Sequence, residues 1–300
     1  MFLESLIGKA VENGKKTVAV AAAGDHEVLE AVSLAVKRNL ANFLLYGDRE
    51  QIESMYGSSS DRSISIIHSP DPQKAAENAV KAVSSGRADV LMKGNVQTSV
   101  ILKAVLNKEF GLRTGKILSH TAAFEIEGYD RLILVTDAAM NIAPDLEQKA
   151  GIIRNAVALA KSIGVDNPKV APLCAVETVN PAMHATLDAA SLSAMNRRGQ
   201  IVGCIVDGPL ALDNAVSALA AEHKGICGAV AGKADILLVP SIETGNVLYK
   251  SLVYFAKAKV GAVICGAKAP IILTSRSDSS ESKLYSLALA LCSVNAQIED

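Results

Sequence analysis

Short, continuous apolar runs separated by helix-length segments constrain this chain more than any other feature. Residues 17–23, 43–46, 63–67 and 88–92 are such runs, and a helical pattern precedes or follows each one: residues 2–12, a stretch from about His26, residues 49–55, and a stretch after Ser69-Pro70-Asp71. A strand with one wet face alternates polar and apolar residues. A run that is apolar on both faces belongs to a parallel sheet covered by helices on both sides. The same alternation returns in the second half, with strands expected at 169–174, 200–206, 234–239, 261–264 and 271–273. Helices are expected at 145–163, 181–197, 211–221 and 245–256, and a last one carries Leu284, Leu287, Ala288 and Leu291. The centre departs from the pattern: 118–126 and 132–135 read as neighbouring strands joined by a turn at Glu127-Gly128-Tyr129-Asp130. No low-complexity linker and no short repeat interrupts the chain.

With 300 residues, half of them hydrophobic, the chain suffices for one large domain or two modest ones. Thirty Lys and Arg against 31 Asp and Glu give a net charge of -1, which argues against a nucleic-acid surface. The absence of Trp and the scarcity of other aromatics argue against stacking platforms. Glu4 and Lys9 interrupt the first residues, so no signal peptide is expected, and no apolar run is long enough to span a membrane. Cys174, Cys204, Cys227, Cys265 and Cys292 are odd in number and widely spaced. They suggest neither a disulfide framework nor a metal knuckle, and a reduced, cytoplasmic protein is expected.

In open parallel sheets, ligands sit beyond the carboxyl ends of the strands. Residues 267–283, AKAPIILTSRSDSSESK, place a short strand before Thr274-Ser275-Arg276-Ser277-Asp278 and then a helix start. Hydroxyls, an arginine fork and unpaired helix N–H groups suit an anion such as phosphate. The plainer reading makes Ser279 or Ser280 a helix cap and Arg276 a solvated loop cation. Lys93-Gly94-Asn95, with Thr98 and Ser99 near a helix start, follows the strand at 88–92; it reads either as an anion loop or as a glycine turn and cap. Asp137 and Asn141 follow 132–135, and Asp145 reads as a helix cap. Asp207-Gly208-Pro209 follows 200–206, with Asp207 a turn former or a ligand contact. Pro240 precedes Gly245-Asn246, expected at a helix start, with Tyr249 and Lys250 one turn on.

Other chemistries lack their signatures. No His-x-x-x-His or Glu-x-x-His spacing supports a metal, no Gly-x-Ser-x-Gly elbow exists, and Ala21-Ala22-Ala23-Gly24-Asp25 stands where a dinucleotide loop would be. Cys174, at a strand end, is the cysteine placed to act as a nucleophile, against the commoner packing role.

Taken together, Asp207-Gly208-Pro209-Leu210 with Asp213, Val230-Ala231-Gly232-Lys233-Ala234-Asp235, Pro240 with Gly245-Asn246 and Tyr249-Lys250, and Leu273-Thr274-Ser275-Arg276 resemble the phosphate acetyl/butyryl transferase family over essentially the whole chain. The short length and Met92-Lys93-Gly94-Asn95 are more similar to its butyryl branch. The resemblance implies two three-layer α/β domains flanking a cleft, as in isocitrate and isopropylmalate dehydrogenases. Residues 1–126 with 265–300 would form a discontinuous first domain, and 127–264 a second domain carrying a homodimer interface. It implies the reaction butanoyl-CoA + phosphate ⇌ butanoyl phosphate + CoA through a ternary complex, with coenzyme A as substrate and no cofactor or metal. Ser275 would bond the tetrahedral oxyanion or the thiol, and Arg276 the phosphate. Family acetyltransferases place an aspartate seven residues after the serine; here that position is Ser282, leaving Asp278 and Glu281 as candidate bases. Lys93, Gly94, Asn95, Thr98, Asp137, Asp207, Gly245, Asn246 and Lys250 would bind substrate, and Arg113, Lys116 or Lys93 would supply a second phosphate cation. Alternatives are a phosphate acetyltransferase, a non-catalytic acyl-CoA-binding protein, or a metal- and NAD-dependent dehydrogenase on the same fold.

Overall fold

The computed structural model describes residues 2–57, 62–275 and 278–294. Among the described residues, eleven helices and eleven strands follow in chain order: α1 (Leu3–Glu12), β1 (Lys16–Ala21), α2 (His26–Lys37), β2 (Ala41–Gly47), α3 (Arg49–Tyr56), β3 (Ile64–His68), α4 (Pro72–Ser84), β4 (Val90–Lys93), α5 (Thr98–Val105), β5 (Ser119–Glu125) and β6 (Ile133–Thr136). Then come α6 (Leu146–Ser162), β7 (Lys169–Pro172), α7 (His184–Arg197), β8 (Ile205–Val206), α8 (Leu212–Val216), α9 (Ala218–His223), β9 (Ile236–Leu238), α10 (Ile242–Tyr254), β10 (Lys259–Cys265), β11 (Ile271–Ile272) and α11 (Ser280–Ser293).

The chain divides into two compact units. One takes Leu3–Lys116 together with the chain from Val260, and the other is Ile117–Lys259. The expected division lay at 126/127 and 264/265. The observed one falls earlier because β5 pairs antiparallel with β6, Thr121 opposite Thr136 and Phe124 opposite Ile133, so β5 packs with the middle unit.

In the terminal unit the strand order is β3-β2-β1-β4-β11-β10. β1 to β4 run parallel, and β11 joins β4 in parallel, with Ile271 opposite Leu91 and Ile272 opposite Met92. The last four residues of β1 and all of β4 are buried, as expected of strands covered on both faces. Aspartates start the helices: Asp25, Asp48 and Asp71 accept from backbone N–H groups of α2, α3 and α4, and Pro72 opens α4. Helix α11 is different in kind. Every residue from Lys283 to Ser293 is buried, so it has no wet face beyond its first turn.

The middle unit has the order β5-β6-β9-β7-β8, with β6, β9, β7 and β8 parallel. Asp145 starts α6 with a capping box whose partner is Gln148. Three expectations change here. The helix expected from residue 181 begins at His184, because Thr186 Oγ1 accepts from Asn180 N–H at 2.9 Å and holds a turn ahead of it. The strand expected over 200–206 is only Ile205–Val206, preceded by Gly203 at φ +75°. The helix expected over 211–221 is two short helices broken at Ser217, which is extended and whose hydroxyl caps the second.

Candidate active site

The carboxyl ends of β1, β4 and β11 lie side by side in the terminal unit, because β4 pairs with both neighbours. β4 ends at Lys93, whose side chain is only 6% exposed. Its ammonium donates to the carbonyls of Gly94 at 3.2 Å and Thr274 at 3.4 Å. Residues 181 apart in sequence therefore meet at one point. The Gly94 and Asn95 N–H groups continue the ladder beyond the strand, bonding Ala21 O at 2.8 Å and Ala22 O at 2.7 Å. A Cβ on Gly94 would fall 2.8 Å from Ala21 O and closer still to Ala22 O, so only glycine permits this approach. Asn95 is exposed, its amide directed at Gly24 O at 3.5 Å, and Thr98 is the exposed first residue of α5.

Beyond β11, the loop at Ser275 is tied to itself and to α11. The Ser275 N–H donates to Asp278 Oδ2 at 2.7 Å, and the Asp278 N–H returns to Ser275 O at 3.2 Å. Ser279 caps α11 by accepting from the Ser282 N–H at 3.2 Å. The Lys283 ammonium donates to Ser275 O at 3.4 Å and to Asp278 O. Ser275 is exposed at the centre of this ring of bonds. Thr274 is buried, and its hydroxyl has no hydrogen-bond partner among the described residues. Arg276 lies outside the described residues. Of the two candidate bases, Asp278 contacts the serine's own backbone. Glu281 is exposed and accepts from Tyr285 OH on its own helix at 2.9 Å.

The remaining expected residues belong to the middle unit. Asp137 is 2% exposed and its carboxylate is fully used. Oδ1 accepts from the N–H groups of Ala139 at 3.0 Å and Met140 at 2.9 Å, and Oδ2 from Asn141 N–H at 3.2 Å and Asn141 Nδ2 at 2.5 Å. Asp137, expected to contact substrate, here shapes its loop, its two oxygens holding four donors. The helix start expected at Gly245 is corrected. Helix α10 begins three residues earlier, at Ile242, and the Gly245 N–H is bonded to Ser241 O at 3.1 Å, so it is not a free helix-start donor. Its role is close packing, since a Cβ would meet Ala138 Cα at 2.7 Å and Asp137 O at 2.8 Å. Asn246 and Lys250 are exposed four residues apart on α10, hence on one face. Asp207 ends β8, three strand positions from β6, roughly 14 Å across the sheet at the usual spacing, so it does not join Asp137. It precedes the cis Gly208–Pro209 bond, and its Oδ2 lies 2.6 Å from where a Cβ of Gly228 would be.

Two features escape a linear reading. Lys149 on α6 is buried and pairs with Asp188 on α7 at 2.6 Å. Both line a small pocket with Leu173, Leu192 and Val239 at the ends of β7 and β9. Cys174 is near this pair, and burial, partly offset by Lys149, pushes its thiol up to about 11. A thiol protonated at neutral pH is a poor nucleophile, so Cys174 reads as a packing residue. Lys283 is the other feature. Its signal was the unbroken run Leu284–Ser293 behind it: a helix with no polar face buries whatever stands at its head.

A family model described as phosphate acetyl/butaryl transferase matches residues 71–291. A probable phosphate butyryltransferase of Bacillus subtilis (strain 168) is 59% identical over 292 residues, covering 97% of this chain and 98% of the relative. A phosphate butyryltransferase of Clostridium beijerinckii is 53% identical, covering 96% of each. The crystal structure of a branched-chain phosphotransacylase from Enterococcus faecalis V583 superposes with a TM-score of 0.85 at 39% identity, over 93% of this chain and 99% of that one.

Proposed function

The chain belongs to the phosphate acetyl/butyryl transferase family, and from that premise we propose that it is a phosphate butyryltransferase, catalysing butanoyl-CoA + phosphate ⇌ butanoyl phosphate + CoA. The observation that carries the reading is the Ser275–Asp278 loop. Ser275 and Asp278 are held to each other and to Lys283 by hydrogen bonds beyond the carboxyl end of β11, and Ser275 is exposed next to Thr274, the carbonyl partner of the Lys93 ammonium.

The chemistry is substitution at an acyl carbon. In the forward direction a phosphate oxygen attacks the thioester carbonyl, the C–S bond breaks, and the CoA sulfur leaves with the electron pair and takes a proton. In reverse the thiolate attacks and phosphate leaves. No electron is gained or lost, so no redox cofactor is required; the reading assigns coenzyme A as a substrate and no metal. Both directions pass through an oxyanion, and the Ser275 hydroxyl is assigned to donate to it. Arg276 is assigned to the phosphate, whose oxygens match its paired N–H groups. Asp278 is assigned as the base that takes the thiol proton, using Oδ1, since Oδ2 holds the Ser275 N–H. A free thiol near pKa 8.5 is only a few per cent ionised at neutral pH, so such a base accelerates attack. Holding both substrates together supplies roughly 7–11 kcal/mol of barrier lowering by itself. Lys93, Gly94, Asn95 and Thr98 are assigned to substrate binding, and Asn246 and Lys250 to coenzyme A.

The expected homodimer is assigned to the middle unit. Helix α10 buries only Gly245, while Val247 and Tyr254 are exposed and Phe255 is 87% exposed, a surface suited to a second copy of the chain. A cytoplasmic location fits a CoA-dependent reaction and five cysteines outside disulfides. Among the described residues, no helix is long and apolar enough to cross a membrane.

The test is direct. Purified protein is given butanoyl-CoA with and without phosphate, and free thiol is followed in the presence of chelator. Phosphate-dependent release that survives chelator is expected. Release without phosphate, binding without turnover, or complete loss with chelator would each overturn the reading. Acetyl-CoA in parallel decides between the butyryl and acetyl reactions; a single methylene is worth only about 1–3 kcal/mol in a pocket, so neighbouring acyl lengths are expected to react as well.

A further inference from the structure

Lys283 occupies a place where three effects oppose a cation. It is 2% exposed, so its charge has lost its water. It stands four residues after the Ser279 cap, in the first turns of a 14-residue helix, where the backbone dipoles favour negative charge. Among the described residues it has no carboxylate partner: its ammonium donates only to the main-chain carbonyls of Ser275 and Asp278. The nearby Asp278 carboxylate is turned to the Ser275 N–H instead. A methionine of the same length would suit a helix buried from Leu284 to Ser293, and a buried charge is weak evidence for stability. The lysine is therefore explained by what it holds.

We propose that Lys283 is the positioning residue of the Ser275 loop: its two carbonyl contacts fix Ser275 and Asp278, and its buried positive charge awaits the phosphate that docks there. The inference rests on the butyryltransferase reading. The Asp278 carboxylate of the same loop is engaged by the Ser275 N–H, and the phosphate dianion that docks there adds negative charge beside the buried cation. Lys283 acts through the loop and does not itself touch the reacting atoms. It also explains how an exposed serine is held still: two of the loop's carbonyls point inward to one ammonium.

The test compares wild type with Lys283→Met and Lys283→Arg, measuring phosphate-dependent thiol release at varied phosphate and varied butanoyl-CoA. Losing hydrogen bonds from a charged donor predicts a fall of about ten- to a hundredfold in kcat/KM for phosphate in Lys283→Met, with KM for butanoyl-CoA within about twofold of wild type. Lys283→Arg keeps the charge and is expected to recover much of that loss. A merely structural lysine predicts the opposite ranking, because arginine overfills a packed core and methionine does not. Folded Lys283→Met with wild-type phosphate kinetics, or Lys283→Arg more impaired than Lys283→Met, overturns the inference and leaves the butyryltransferase reading standing. Inactive wild-type protein overturns both. If Lys283→Met does not fold, Lys283→Gln is measured against the same two outcomes.

Discussion

Replacing Gly245 by alanine sets two physical effects against each other with opposite signs. Gly245 lies inside α10, and helix propensity alone predicts that alanine stabilises by about 1 kcal/mol. Packing predicts the reverse. The added Cβ would lie 2.7 Å from Ala138 Cα, 2.8 Å from Asp137 O and 2.9 Å from Val239 Cγ2. The valine methyl can rotate away, but the other two are backbone. Ordinary contact begins near 3.4 Å, so helix and loop must part by 3.4 − 2.7 = 0.7 Å. The bond from the Ile242 N–H to Ile142 O, now 2.9 Å, joins the same helix to the same loop and would stretch to about 3.6 Å, beyond useful length. Overpacking at about 1–3 kcal/mol plus one lost hydrogen bond at about 0.5–1.5 kcal/mol outweighs the propensity gain, for a net loss of roughly 1–3 kcal/mol. Urea unfolding followed by circular dichroism measures it. The control is Gly8→Ala in α1, where no atom lies within 4 Å of the new Cβ and propensity should win. Gly245→Ala as stable as Gly8→Ala would refute the close-approach argument.

Three further outcomes are expected. Arg276→Lys keeps the charge and loses the fork, so kcat/KM for phosphate should fall about ten- to a hundredfold while the affinity for CoA holds; unchanged phosphate kinetics would remove Arg276 from the site. Asp278→Asn should flatten the acid limb of the rate–pH profile and Glu281→Gln should not, because Glu281 is engaged with Tyr285; the reverse result would exchange their roles. Burial pushes the thiols of Cys174, Cys204 and Cys292 up to about 11 from 9.0, so between those values the unfolded chain has lost protons that the folded chain keeps. Stability should therefore fall as pH rises from about 9 to about 11, and Cys204→Ala should lessen the slope of urea midpoint against pH over that window.

What could be read from the chain by itself was local. Continuous apolar runs announced parallel strands, Asp71 with Pro72 and Asp145 marked helix starts, and Thr274–Asp278 stood out as polar residues between a strand and a helix. Each depends on residues a few positions apart, where backbone hydrogen bonding and side-chain period act. Tertiary structure decided the rest, because it depends on contacts the linear order does not contain. β11 returns beside β4, which carries Thr274 to Lys93 across 181 residues. Gly94 and Gly245 are glycines because other backbone comes against them, not because their own turns require it. Asp137 looked free to meet a ligand, yet its loop folds back so that four donors consume it. Lys283 stands at the head of the apolar run Leu284–Ser293. Only the burial of α11 on all sides strips its water, and only the return of the Ser275 loop supplies the carbonyls that make such a position tolerable.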